Sequence, residues 1–284
     1  SEQFQTEVVD DFIAEYRAGR TPNPCLRCNE KIKFAAVLER GLALGFDAVA
    51  TGHYARVVDN GSELELHRAA DPDKDQSYVL GVLNQDQLRR SLFPLADTPK
   101  PQVRAEAHSL GLRVADKPDS YDICFIPDGD TQGYLRAHLG ETPGPIVDRS
   151  GTELGRHRGH HGFTIGQRKG LDLRVPAPDG NPRYVLRIEP AGNRVVVGPG
   201  ESLLVTNLAG IRPTWTQHRV PGSWRGQVQY RAHGAALSAT IATIGDDEVR
   251  VELDEPTRGV APGQSMVFFD ATRVVGSATI SGTS

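Results

Sequence analysis

Asp47-Ala-Val-Ala-Thr-Gly-His53 decides the fold class of the first part of the chain. Asp47-Ala-Val-Ala-Thr51 reads as a short buried strand. Gly52 and His53 close its carboxyl end, the place where open α/β sheets bind ligands. Upstream, Ile32, Ala35, Val37, Leu38 and Leu42 predict a helix from near Asn29 to just before Gly45. Farther upstream, Val8, Phe12, Ile13 and Tyr16 recur at helical spacing and Gly19 supplies a stop. Between these helices, Thr21-Pro-Asn-Pro-Cys25 cannot continue a helix, because its prolines lack donors and push their predecessors to extended geometry. Downstream, residues 85–91 and 103–110 predict further helices, which makes this part α/β.

After about residue 138 helical periodicity disappears. Tyr184–Ile188 and Arg194–Val197 flank Pro190-Ala-Gly-Asn193, a hairpin signal. Further strands are predicted at 223–230, 236–244, 249–253, 265–269 and 274–280. Short strands with frequent turn signals point to small β-barrels. The expected units are residues 1–137, 138–201 and 202–284.

The chain has 284 residues, enough for two or three domains, and is 38% hydrophobic and 24% charged, which excludes a disordered chain. No apolar run is long enough for a transmembrane helix, and no signal segment opens the chain. Three cysteines are too few for a disulfide scaffold and fit a reducing, cytoplasmic setting. Residue 1 is Ser and the only methionine is Met266, so the chain is expected to begin inside a longer reading frame or after processing. The net charge of −4 is unevenly spread: residues 149–233 hold thirteen Lys/Arg against five acids, +8, which leaves −12 elsewhere. Such asymmetry points to a polyanionic partner, or simply to an Arg-rich surface.

Cys25-Leu-Arg-Cys28 is the sharpest chemical feature. A thiol near a helix amino terminus is favoured as thiolate by the unpaired N–H groups there. A nucleophile, a zinc site short of ligands and a thioredoxin-like pair without the expected preceding strand are its three readings. Cys124 is either a small buried hydrophobe or a partner thiol for Cys28. Lys74-Asp-Gln-Ser77 is a capped helix start or a polar loop for a nucleotide. Residues 155–170 set glycines among seven basic or imidazole side chains, a nucleic-acid or mobile substrate loop, with a metal cluster as the weaker alternative. Tyr230-Arg231 is a stacking clamp or a core Tyr beside a surface Arg. No Gly-rich phosphate loop is present in the α/β part.

Six segments together resemble the tRNA-specific 2-thiouridylases, the MnmA/TrmU family. They are Thr21-Pro-Asn-Pro-Cys-Leu-Arg-Cys-Asn-Glu-Lys-Ile-Lys-Phe34, Ala50-Thr-Gly-His-Tyr54, Lys74-Asp-Gln-Ser-Tyr78, Ile123-Cys-Phe-Ile126, Thr164-Ile-Gly-Gln-Arg-Lys-Gly170 and Pro262-Gly-Gln-Ser265. The resemblance implies a partial nucleotide-binding α/β domain, Rossmann-like and α-hydrolase-like, followed by two small mostly-β domains, the last a β-barrel. It implies ATP- and Mg²⁺-dependent adenylation of the wobble uridine of tRNA and sulfur delivery from a cysteine persulfide. Cys28 matches the nucleophile and Cys124 the persulfide carrier, and the two would form a transient disulfide as sulfur leaves. Gly52 matches an ATP contact. Asn23, Pro24, Cys25, His53, Lys74, Asp75, Gln76, Gln229, Tyr230, Arg231 and Gln264 match tRNA-binding positions. The implied partners are the tRNA anticodon region and a persulfide donor protein, with a monomeric chain, no membrane and no metal site of its own.

The chain departs from the family at two places. Cys25 stands where many members have Asp, which leaves the general acid or base open and makes a third redox-active thiol an alternative. Nothing matches the family's SGGxDS-type pyrophosphate loop, so the chain as given is expected to bind tRNA without adenylating it efficiently. The alternative is a truncated, non-catalytic tRNA-binding module.

Overall fold

The computed structural model describes residues 1–117, 123–173 and 179–284. Ser120–Asp122 of the stretch before Cys124, and Arg174 of the basic segment, lie outside the described residues. The chain opens with a helical run over residues 2–17, with wider turns at Gln5–Asp10. Its Val9, Phe12 and Ile13 pack against Ile126 and Leu135. Gly19, at φ +72°, ends the run.

The second helical run starts at Pro24, not near Asn29, and continues to Ala43 through Pro24–Cys28, Asn29–Ala36 and Val37–Ala43. Proline is compatible with the first helical position, where its missing N–H would have had no helical partner. The predicted strand shrinks to β1 (Val49–Ala50), and it is half-exposed rather than buried. Among the described residues its one partner is β4 (Ser91–Leu92), in parallel. Leu44, Phe46 and Leu92 are likewise exposed.

Between them runs a hairpin that periodicity did not reveal, β2 (Ala55–Asp59) and β3 (Leu64–Arg68), joined through Asn60-Gly61 with Gly61 at φ +86°. Helices follow at Ser77–Leu80, Gln85–Arg89 and Lys100–Ser109, and Thr131–Leu139 crosses the expected boundary at 138.

The middle of the chain forms a four-stranded sheet in the order β6-β5-β8-β7, from β5 (Gly144–Val147), β6 (Glu153–His157), β7 (Tyr184–Glu189) and β8 (Arg194–Gly198). Ile146, Val185, Val195 and Val197 fill its core. The last part holds β9 (Val205–Trp215), β10 (Ser223–Gln229), β11 (Leu237–Ile244), β12 (Glu248–Thr257), β13 (Ser265–Asp270) and β14 (Arg273–Thr283). These six pair in the order β13-β10-β11-β12-β9-β14, and β13 pairs with β14 to close a barrel. Met266, Phe268, Ile241 and Val251 lie in its interior. Each such fully buried side chain contributes about 1.5–3 kcal/mol relative to exposure.

β9 escaped the sequence pattern because Arg212, at φ +55°, and Pro213 interrupt its pairing with β14 between Ile211 and Thr214. The β2–β3 hairpin pairs with β14 through His67 and Leu66, so the α/β part and the barrel share one continuous sheet. Among the described residues no helix is long and apolar enough to cross a membrane.

Candidate functional site

Asn23 creates the site's main element. Its side-chain oxygen accepts from the backbone N–H of Cys25 at 3.1 Å and of Leu26 at 3.4 Å, capping the helix that begins at Pro24. Cys25 and Cys28 lie three residues apart on that helix and therefore share a face. Cys25 is exposed and Cys28 half-buried, and neither is in a disulfide.

The expectation of depressed thiols does not hold. Burial pushes both thiols above the ordinary value, and Cys124 raises both further, while the Lys33 ammonium pulls them back down. The cap already satisfies the amides at the helix start, so the dipole has little left to offer a thiolate. These mutual influences also place Cys124 in the same electrostatic neighbourhood. Cys124 is exposed on a turn closed by the N–H of Ile126 donating to the Ile123 carbonyl at 2.8 Å. Phe125 beside it packs edge-on against Phe4 and Phe12.

Lys33, which sequence reasoning did not single out, is positioned by His53. Its ammonium lies 3.3 Å from His53 Nε2, and His53 Nδ1 lies 2.8 Å from Thr51 Oγ1. The imidazole is buried against Phe34 and Phe93. Burial and Lys33 push its pKa down to about 4, so it is neutral and accepts from the ammonium. Lys33 was legible only as part of the Thr21–Phe34 stretch.

Five of the six segments that were separate in sequence are joined by hydrogen bonds here. The Thr21 N–H donates to the Pro262 carbonyl at 2.8 Å, and Thr21 Oγ1 lies 3.3 Å from Thr164 Oγ1. Tyr78 Oη donates to the Ser265 carbonyl at 2.8 Å, and Gln76 exchanges backbone and side-chain hydrogen bonds with Tyr54. Ile123–Ile126 is linked to them by the electrostatic influence of Cys124 on Cys25 and Cys28. Gly263, at φ +90°, lets the barrel approach so closely that an added Cβ would lie 2.9 Å from Thr21 N and from Arg20 Cβ.

A second cluster forms around Arg68, also absent from the sequence reasoning because only the hairpin's pairing brings it in. Its guanidinium donates to Asp75 Oδ2 at 2.8 Å and to Gln229 Oε1 at 2.9 Å, 3.8 Å above the Phe269 ring. The Asp75 carboxylate also accepts from the N–H groups of Ala69 and Ser77 and from Ser77 Oγ. Gln229 Nε2 donates to the carbonyls of Arg231 and Ala232. Asp75 and Gln229 are thus tied into the fold by several hydrogen bonds each, beside the start of the Ser77–Leu80 helix. Tyr230 Oη meets Thr257 Oγ1 at 2.7 Å, and Arg231 lies over the Tyr230 ring and donates to the Gly259 carbonyl. Gln264 Oε1 accepts from the Ala261 N–H at 3.4 Å. Lys74 lines a separate cavity with Lys100 and Arg104.

Gly52 is exposed at the carboxyl end of β1, and a Cβ there would meet nothing nearer than Leu95 Cδ1 at 3.8 Å. The backbone is thus open to a ligand at this point. Among the described residues no group of three or more His, Cys, Asp or Glu could hold a metal ion.

Known proteins match the chain along its whole length. Family models match residues 1–128 (tRNA methyl transferase HUP domain), 132–199 (tRNA methyl transferase PRC-barrel domain) and 205–280 (aminomethyltransferase beta-barrel domain). A protein of Acidothermus cellulolyticus called tRNA-specific 2-thiouridylase MnmA is 62% identical over 283 residues, covering 100% of this chain and 78% of the relative. The chain belongs to the MnmA family of tRNA-specific 2-thiouridylases. MnmA proteins of Cutibacterium acnes and Streptomyces avermitilis are 62% and 60% identical, again over 100% of this chain and over 77% and 76% of their own lengths. The models' descriptions speak of methyl transfer and the MnmA names of thiolation. Three thiols in one neighbourhood fit the second.

Proposed function

We propose that this chain carries the sulfur-transfer centre of a tRNA-uridine 2-thiouridylase, with Cys28 and Cys124 as its two working thiols. The observation that carries this reading is that Cys25 and Cys28 share one helical face at the joint of five separated segments, and that both feel the charges of Lys33 and Cys124. The non-catalytic tRNA-binding alternative gives no reason for thiols to be gathered there.

ATP, when bound, would supply activation of the uridine 2-oxygen as a leaving group, and Mg²⁺ would accompany its phosphates. Gly52, exposed at the carboxyl end of β1, fits a backbone contact to that nucleotide, and the chemistry of the thiols begins with the activated base. The terminal sulfur of a Cys124 persulfide attacks C2, and the activated oxygen leaves with its electron pair. The Cys28 thiolate then attacks the Cys124 sulfur. The bond between the two persulfide sulfurs breaks, its electron pair stays with the sulfur on C2, and a Cys28–Cys124 disulfide remains for an external dithiol to reduce. Lys33, held by His53, favours the Cys28 thiolate at the moment of attack.

Exposure of Cys124 suits loading by a persulfide donor protein. The base must leave its stack to reach these thiols, so tRNA is gripped near the anticodon, with Asn23, Pro24, Cys25, His53, Lys74, Asp75, Gln76, Gln229, Tyr230, Arg231 and Gln264 around the path. We divide the chain into working units at about residues 138 and 202, and place it in the cytoplasm as a monomer.

Single-turnover thiolation by the whole gene product, with the protein then alkylated and mapped by mass spectrometry, tests the chemistry. A Cys28–Cys124 disulfide formed in step with 2-thiouridine is the expected result. Thiolation with Cys28 and Cys124 both left free contradicts the assignment.

A further inference from the structure

Sulfur transfer through Cys28 and Cys124 leaves one nucleophile of the chain unused, the Cys25 thiol. Asn23 caps the helix and Pro24 takes its first position, so Cys25 occupies the second and Cys28 follows one turn later. The rise and radius of a helix set residues at this spacing about 5 Å apart between Cα atoms. A disulfide bridges roughly 4.4–6.8 Å, so the backbone already stands at a bridging distance. The Cβ atoms, about 5–6 Å apart in a regular helix, must draw in by about an ångström. A tighter first turn does this, because it eclipses side chains three residues apart. The backbone here is already part-way to that geometry. The Asn29 N–H is shared between the carbonyls of Cys25, four residues back, and Leu26, three residues back.

Access divides the thiols as well. Cys25 and Cys124 are exposed, whereas Cys28 is half-buried. In a Cys28–Cys124 disulfide the Cys28 sulfur is therefore partly shielded from a reductant in solution. Cys25 needs no approach from solution, since it is tethered one turn away on the same face. Its thiol also feels the charges of both Cys28 and Cys124.

We infer that Cys25 is the resolving thiol of this centre, its thiolate attacking Cys28 Sγ in the Cys28–Cys124 disulfide to leave a Cys25–Cys28 disulfide. The bond between Cys28 and Cys124 breaks, and its electron pair leaves on the Cys124 sulfur. The proton that Cys25 gives up to solvent is matched by one that Cys124 takes back. One disulfide is exchanged for another, with no net oxidation or reduction. Cys124 is then free to carry the next persulfide. The oxidised pair meanwhile presents the exposed Cys25 sulfur to the external dithiol that reduces it. This step rests on the two-thiol transfer and follows it.

A time course of single-turnover thiolation by the whole gene product, without added dithiol, tests it. Samples are quenched with N-ethylmaleimide and their disulfides mapped by mass spectrometry. In the wild type the Cys28–Cys124 disulfide should rise with 2-thiouridine and then give way to Cys25–Cys28, with Cys124 alkylated. In Cys25→Ser, a change at an exposed position, Cys28–Cys124 should instead be the lasting product. A wild type that keeps Cys28–Cys124 to the end, with Cys25 alkylated, overturns the resolving role and leaves the two-thiol transfer standing. A lasting Cys25–Cys124 disulfide overturns it too, because the attack then falls on the other sulfur. Thiolation by Cys25→Ser with no Cys28–Cys124 disulfide at any time removes the two-thiol transfer itself, and the resolving role with it. Should Cys25→Ser bind tRNA too weakly to turn over, the wild-type time course still decides.

Discussion

Cys25 and Cys28 share a helical turn but not an environment, and their reactivity should separate accordingly. Exposed Cys25 should be alkylated by iodoacetamide faster than half-buried Cys28. Both thiols sit above the ordinary value of 9.0, so both rates should climb about tenfold per pH unit and show no plateau below about pH 9. A plateau near neutrality in the chain without tRNA would mean that Lys33 outweighs burial. His53 gives a second test. Its folded pKa of about 4 lies below the unfolded value near 6.5, so between these values the unfolded chain binds the extra proton. Stability from this group is complete above about pH 6.5 and drains away as pH falls toward 4, by up to about 3 kcal/mol at about 1.4 kcal/mol per unit. Urea midpoints at pH 7 and pH 5 should differ more for the wild type than for His53→Gln, and an equal difference would refute the buried neutral imidazole. At this scale Cys28, Cys124 and His53 were singled out as candidates by their motifs. Lys33 and Arg68 were not, because their importance comes from a tertiary partner: His53, twenty residues away, for one and Gln229, across the sheet, for the other.

The helix beginning at Pro24 depends on one side chain, Asn23. Asn23→Ala removes the acceptor for two amides and should cost about 1 kcal/mol, read as a lower melting temperature. An unchanged melting temperature would mean that solvent caps the helix equally well. The sequence placed this helix five residues late because two prolines read as breakers, although one of them can open a helix. The hairpin β2–β3 was missed despite its Asn60-Gly61 turn, since its strands are short and mostly half-exposed. The opposite held for β7 and β8, whose flanking turn and β-branched runs agree with each other. Gly263 is the element-scale joint between barrel and helix. Gly263→Ala combines a strained φ of +90° with contacts of 2.9 Å to Arg20 and Thr21. It should lower stability and thiolation together, whereas a fully active and equally stable variant would show that the barrel does not position the helix.

In the whole molecule, barrel, middle sheet and α/β part share an organising point at Thr21, which bonds Pro262 of one and Thr164 of another. The barrel itself was legible from alternating strands, but its continuity with the β2–β3 hairpin was not, because strand pairing across two hundred residues leaves no local trace. The +8 carried by residues 149–233 lies largely on the middle sheet and barrel, so tRNA affinity should fall steeply as salt rises. Flat salt dependence would move the tRNA face elsewhere. The most direct measurement of the sulfur-transfer chemistry is nucleoside mass spectrometry of tRNA from a bacterial strain lacking its own thiouridylase and supplied with the whole gene product. The wild type should restore 2-thiouridine, while Cys28→Ser and Cys124→Ser should each give none and keep tRNA binding within about twofold. Restoration of 2-thiouridine by either serine variant would contradict a two-thiol transfer at this site.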